Sequence, residues 1–185
     1  MRVLVVSDIF GKTPALEELA KAMPVTTDII DPYDGKFMAF KDEQEAYNYF
    51  CNEVGLDSYC LQLKKQVDSL KQPVVMIGFS VGASAIWKLS AHMDMEKVKS
   101  AACFYGSQIR HELNIRPVFP ITLILPASEK HFSIEQFRSD LKERDNVSFI
   151  QSRYFHGFMN KYSKNFSEEG YHSMLSLFSN IVLST

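Results

Sequence analysis

Two features of the sequence predict a doubly wound α/β domain on a mostly parallel six-stranded sheet with helices on both faces. Short apolar runs rich in β-branched residues recur along it, each bounded by turn residues, and stretches with helical spacing lie between them. Several of the runs are apolar at nearly every position, as strands are when helices cover both sides of a parallel sheet.

The first strand is Val3–Val6, ended by Asp8, and Ala15–Ala22 follows with helical spacing. Thr26–Ile30 reads as the second strand. The stretch from about Asp31 to Gln72 is too long for a plain loop. It opens with Tyr33, Phe37, Phe40, Tyr47, Tyr49 and Phe50 and is expected to hold two helices. Leu56, Tyr59, Cys60, Leu63, Val67 and Leu70 mark the second of them at i, i+3, i+4, i+7 spacing. These helices are expected to pack on the sheet, with cover over a pocket mouth as the alternative. Pro73–Ile77, Val98–Tyr105, Phe119–Leu125 and Val147–Ile150 complete the strands, with helices at Glu135–Lys142 and Tyr171–Ile181. The sequence has no internal repeat or evident linker, so residues 1–185 are read as one domain, with winding order 2-1-3-4-5-6.

Composition bounds the function classes. A net charge of −2 over 185 residues offers no electrostatic reason to expect nucleic acid or an anionic membrane as partner. No run approaches the roughly 20 apolar residues that span a bilayer. The apolar start is shorter than a signal h-region, and a cytoplasmic protein is expected. Cys51, Cys60 and Cys103 form no CxxC pair and are expected to be free buried thiols. The five histidines show no metal-binding spacing, so neither metal nor cofactor is expected. Oligomeric state stays open.

Chemistry concentrates at Gly78-Phe-Ser-Val-Gly82, where an apolar strand runs into a helix that begins with small residues. A nucleophile elbow has this form: the chain reverses so tightly that the serine is strained, and the flanking glycines avoid clashes. Ser80 is therefore the candidate nucleophile, at a helix N-terminus where the Val81 N–H can meet an oxyanion. The winding order puts the switch point between the first and third strands, where ligands bind beyond the strand ends. The loop Asp8-Ile-Phe-Gly11 then faces Ser80, and the Ile9 N–H is the expected second oxyanion donor. Phe10, Phe79 and Tyr105, beside these loops, are expected to touch substrate.

A serine hydroxyl needs a base, and histidine has the pKa for that role near neutrality. His156, just past the last strand, is at the correct end of the sheet. His92 and His172 fall on helices, His111 could reach the pocket rim, and His131 adjoins the candidate acid. That acid is Glu129, the only carboxylate in the loop Pro126–His131 after the fifth strand. Glu135, Asp140 and Asp145 are the fallbacks.

These residues resemble the dienelactone hydrolase family over most of the chain. Asp8-Ile-Phe-Gly11 is similar to its strand-end segment with an acidic residue before Ile-Phe-Gly, and Asp31-Pro-Tyr-Asp-Gly35 to its Pro-Asp-Leu-Tyr stretch. Gly78-Phe-Ser-Val-Gly-Ala83 resembles its elbow, Phe104-Tyr-Gly106 its Tyr-Gly, and His156-Gly-Phe158 its histidine motif. The resemblance implies hydrolysis of a small carboxylic ester, thioester or lactone through an acyl-enzyme. The chain departs from the family in four respects. Serine replaces the founding cysteine. Lys130 stands in the column of the acidic aspartate, with Glu129 one residue early. Asn160 stands where an arginine holds the substrate carboxylate. The family's leading antiparallel strands are not expected here. A Ser–His dyad and a non-catalytic ligand-binding protein are the alternatives. Arg110, Arg153 and Lys161 are read as solvated surface cations.

Overall fold

The computed structural model describes residues 2–183, with side chains up to residue 178. Six strands, β1 (Arg2–Val6), β2 (Thr27–Ile30), β3 (Val74–Phe79), β4 (Val98–Phe104), β5 (Ile121–Leu125) and β6 (Val147–Gln151), form one parallel sheet in the order 2-1-3-4-5-6. Register runs from Val3 opposite Thr27 and Val75, across to Ile121 opposite Val147.

Alternation along β1 shows how the sheet is covered, because successive side chains of a strand point to opposite faces. Val3 and Val5 join one core with Leu19 and Met23 of α1 (Pro14–Ala22) and its C-cap, and with Tyr171, Met174 and Phe178 of α6 (Glu168–Leu183). Leu4 and Val6 join the other. It gathers Tyr59 and Leu63 of α3 (Gly55–Ser69), Ile86 and Trp87 of α4 (Val81–Leu89), and Phe137 and Leu141 of α5 (Ile134–Leu141). Thr13 caps α1 by accepting from Leu16 N–H, and Pro14 at the first turn forfeits only an N–H that the helix leaves unpaired.

The long insertion after β2 contains the two expected helices, α2 (Glu43–Tyr49) and α3, joined through a π-helical turn over Phe50–Val54. Gly55, at φ +74°, lets the chain change direction there. The two helices play different parts. Helix α3 packs on the sheet, and its buried Tyr59 hydroxyl lies 3.1 Å from both the Ser7 and Ile30 carbonyl oxygens at the ends of β1 and β2. Helix α2 lies toward the carboxyl ends of the strands, near Ser80. Among the cysteines, Cys60 and Cys103 are buried as expected, but Cys51 is exposed, because successive helical residues point about 100° apart and its neighbour Phe50 takes the core. No helix among the described residues is long and apolar enough to cross a membrane.

Candidate active site

The site forms where β1, β3, β5 and β6 release their chains at the same end of the sheet. Ser80 follows β3 directly and adopts φ 50°, ψ −110°, a left-handed backbone costly for any residue but glycine. The surroundings hold it there. Its N–H continues the ladder to Phe104 O at 2.9 Å, while its carbonyl accepts from Ser84 N–H and Ser84 Oγ, both at 3.0 Å. Gly82 seats the first turn of α4 on β1. A Cβ at that position would overlap the carbonyl oxygens of Val6 and Ser7. The elbow therefore abuts the very loop that follows β1.

From the hydroxyl a relay runs across two other loops. Ser80 Oγ lies 3.0 Å from His156 Nε2, and His156 Nδ1 lies 2.7 Å from Glu129 Oε1. Glu129 is 10% exposed and His156 25%, so the carboxylate is largely shielded while the imidazole opens to the cleft. The acid and histidine loops are stitched together: Ala127 N–H donates to Tyr154 O at 2.7 Å, and Gln151 Nε2 donates to Pro126 O at 2.9 Å. Asn165 Nδ2 donates to His156 O at 2.8 Å. Lys130, which stands in the acid's expected column, is exposed at the cleft rim, whereas Glu129 points inward. Of the fallback carboxylates, Glu135 and Asp145 are exposed, and Asp140 pairs with Gln136 on α5.

The loop after β1 is fixed peptide by peptide. Asp8 O accepts from Gly11 N–H and Ser7 Oγ, both at 3.1 Å. Because the peptide is planar and trans, a pinned carbonyl also aims the opposite N–H, that of Ile9. Among the described residues no hydrogen bond engages the Ile9 or Val81 N–H. Both residues line the cleft beside Ser80 and His156. Tyr33 Oη donates to Ile9 O at 2.6 Å, and its ring lies where a Cβ on Gly11 (φ +73°) would fall. Asp8 is buried, and that burial pushes its carboxyl above the ordinary aspartate range, against the opposing effects of hydrogen bonds from Phe10 N–H and Asn160 and of nearby His156.

The cleft itself is open, with Glu43, Gln44 and Tyr47 of α2 on one wall and Gln108, His131, Phe155 and Lys164 around the remainder. Phe10, Phe79 and Tyr105, expected to touch substrate, do not line it. Phe79 and Tyr105 pack into the core between the sheet and α6, and Phe10 is buried beneath Tyr162. Tyr105 instead packs against the imidazole, its ring centroid 4.9 Å from that of His156. His111 is exposed and lies outside the cleft lining, in the short 3₁₀ turn Ser107–His111. The alternative expectation for the segment after Asp31, cover over a pocket mouth, fits α2, which brings Tyr47 to the wall, whereas Asn165 and Phe155 carried no motif that marked them. Among the described residues no cluster of three His, Cys, Asp or Glu is placed to hold a metal.

Residues 2–182 match the dienelactone hydrolase family. The chain belongs to that family. Among its relatives is the uncharacterized protein YczH of Bacillus subtilis strain 168, 26% identical over 185 residues, covering 96% of this chain and 90% of that one. Solved structures with the same architecture include the dienelactone hydrolase of Anabaena variabilis, at 15% identity and TM-score 0.69 over 97% of this chain and 83% of that one. Est1E of Butyrivibrio proteoclasticus, solved with ferulic acid bound, matches at 13% identity and TM-score 0.61 over 99% and 88% of the two chains. Within the dienelactone hydrolase family, this chain has the α/β-hydrolase fold with serine at the elbow.

Proposed function

We propose that the protein is a serine hydrolase of small carboxylic esters, thioesters or lactones that works through an acyl-enzyme on Ser80. The observation that carries this reading is the continuous relay from Ser80 Oγ through His156 to Glu129, at 3.0 and 2.7 Å, on the floor of an open cleft. Ser80 Oγ attacks the carbonyl carbon as His156 Nε2 takes its proton. The Ile9 and Val81 N–H groups receive the negative oxygen. Collapse expels the alcohol or thiol, which leaves with the proton from His156. Water then repeats the cycle on the acyl-serine and releases the acid.

Glu129 beside Nδ1 favours a full triad over a Ser–His dyad, since a shielded carboxylate there fixes the tautomer and stabilises the imidazolium. Tyr47 and Phe155, exposed at the cleft, suit an apolar acyl or alcohol group. Asn160 is committed to Asp8, so the proposal does not extend to dienelactone itself, whose carboxylate the family holds with arginine at that position. A cytoplasmic site of action is part of the proposal, supported by three cysteines that remain thiols. A fluorophosphonate probe is expected to label the wild type and not Ser80→Ala, and a panel of p-nitrophenyl esters to show turnover only for the wild type. A folded wild type that neither takes the probe nor turns over any ester would refute the proposal.

A further inference from the structure

Asn160 Nδ2 donates to Asp8 Oδ2 at 2.6 Å, across 152 residues of sequence. The second polar atom of each side chain is also engaged. Asp8 Oδ1 accepts from Phe10 N–H at 2.9 Å, and Asn160 Oδ1 accepts from Tyr162 N–H at 2.8 Å. Each residue thus folds its own loop through one atom and grips the other loop through the second. One loop presents the Ile9 N–H; the other begins four residues earlier with His156. We infer that Asp8 and Asn160 form a clasp that positions the oxyanion loop against the histidine loop for attack by Ser80. The inference rests on the serine-hydrolase reading above.

Three observations support a positioning role over plain packing. The clasp joins the two loops directly, whereas the elbow reaches each separately, through Gly82 and through the Ser80–His156 hydrogen bond. Asp8 is buried, has a hydrogen bond on each carboxylate oxygen and does not line the cleft, so it is turned to the protein rather than to substrate. The charged groups acting on it are His156 and Glu43, so it lies within electrostatic reach of the imidazolium that forms during attack. Neither Asp8 nor Asn160 touches the reacting atoms; both act through Ile9 and His156.

Exchanging the pair tests this cleanly. In the double variant Asp8→Asn/Asn160→Asp, the amide oxygen introduced at position 8 still accepts from Phe10 N–H. The amide NH₂ beside it donates to the carboxylate introduced at position 160, and that carboxylate still accepts from Tyr162 N–H. All three hydrogen bonds survive, with donor and acceptor reversed across the clasp. Steady-state hydrolysis of p-nitrophenyl acetate by the full chain, with melting curves for each variant, is the experiment. Asn160→Ala is expected to lower kcat and kcat/KM together by roughly 10- to 100-fold, the scale of a misplaced catalytic group, with KM within about 3-fold. The exchanged pair is expected to recover kcat to within about 3-fold of wild type. Should Asn160→Ala not fold, Asn160→Ser, which retains a short oxygen near Tyr162 N–H, replaces it with the same expectation. An active wild type whose Asn160 variant keeps its kcat overturns the clasp alone. So does an exchanged pair that melts like wild type but stays as slow as Asn160→Ala. A wild type inert to ester and probe overturns the hydrolase reading, and the clasp's catalytic role falls with it.

Discussion

Glu129→Gln replaces one carboxylate oxygen of the relay with an amide nitrogen and changes almost nothing in shape. The cost can be worked from the geometry. A base must be neutral to take the serine proton, so the charge on Glu129 acts at full strength only once the imidazolium has formed, which makes its effect differential for the transition state. With Nδ1 and Oε1 2.7 Å apart, the charge centres lie about 4 Å apart, and at an effective dielectric of about 20 they attract by about 4 kcal/mol. At about 1.4 kcal/mol per decade, that is a loss of roughly 10³-fold in kcat. A higher dielectric would apply to an exposed pair, but the carboxylate is only 10% exposed. The amide can also turn its NH₂ toward Nδ1 and force the tautomer that presents a proton to Ser80, which deepens the loss toward the roughly 10⁴-fold known for the protease aspartate. Steady-state and single-turnover hydrolysis of a p-nitrophenyl ester measures it, with KM expected to change little. A folded variant that loses less than about 10-fold would refute the triad and leave a Ser–His dyad.

Three further outcomes follow from particular contacts. Gly82→Ala is expected to destabilise the protein by about 1–3 kcal/mol in urea titrations and to abolish fluorophosphonate labelling, since the new methyl meets the main chain of β1 rather than a yielding side chain. Asp8→Asn should gain stability relative to wild type as pH rises from 4 to 7. The folded Asp8 carboxyl holds its proton above the unfolded value of about 3.9, so between those two values the folded wild type binds more protons and loses stability with rising pH. Urea midpoints of the two proteins that stay parallel across this range would contradict the sign. In thiol titration with Ellman's reagent, Cys51 is expected to react within seconds in the native protein, and Cys60 and Cys103 only on denaturation. Burial pushes the Cys60 thiol up to about 11 and Cys103 further still.

Much of the fold and of the candidate site's layout is legible in the sequence. The inner strands betray themselves because they must be apolar on both faces to lie between helix layers, and the order is the usual winding of such sheets. Ser80 was legible because an elbow needs small residues at fixed offsets, and His156 because position after the last strand sets which end of the sheet it occupies. Glu129 stood out only as the sole carboxylate of its loop; whether it turns inward depends on main-chain bonds such as Ala127 to Tyr154, which composition does not encode. The substrate-contact residues failed for a related reason. An aromatic at a strand end fits the core as well as it fits a cleft wall, and Phe79 and Tyr105 took the core. Cys51 misled because free cysteines as a class favour the interior, whereas this one lies on the solvent side of its turn. The bond from Asp8 to Asn160 has no local signature at all, since it exists only when both ends of the chain have come together.

On the proposed mechanism, the wide spacing of the catalytic parts along the chain also governs how activity arises during synthesis. Ile9, Ser80, Glu129 and His156 are spread over all but the final helix. No amino-terminal fragment that stops short of His156 contains them all, and the nascent chain stays inert until the loop bearing it leaves the ribosome. Labelling of Ser80 therefore reports completion of the whole sheet rather than formation of the elbow. In a denaturant series the labelled fraction should track global unfolding, so a covalent probe doubles as a folding sensor for this protein.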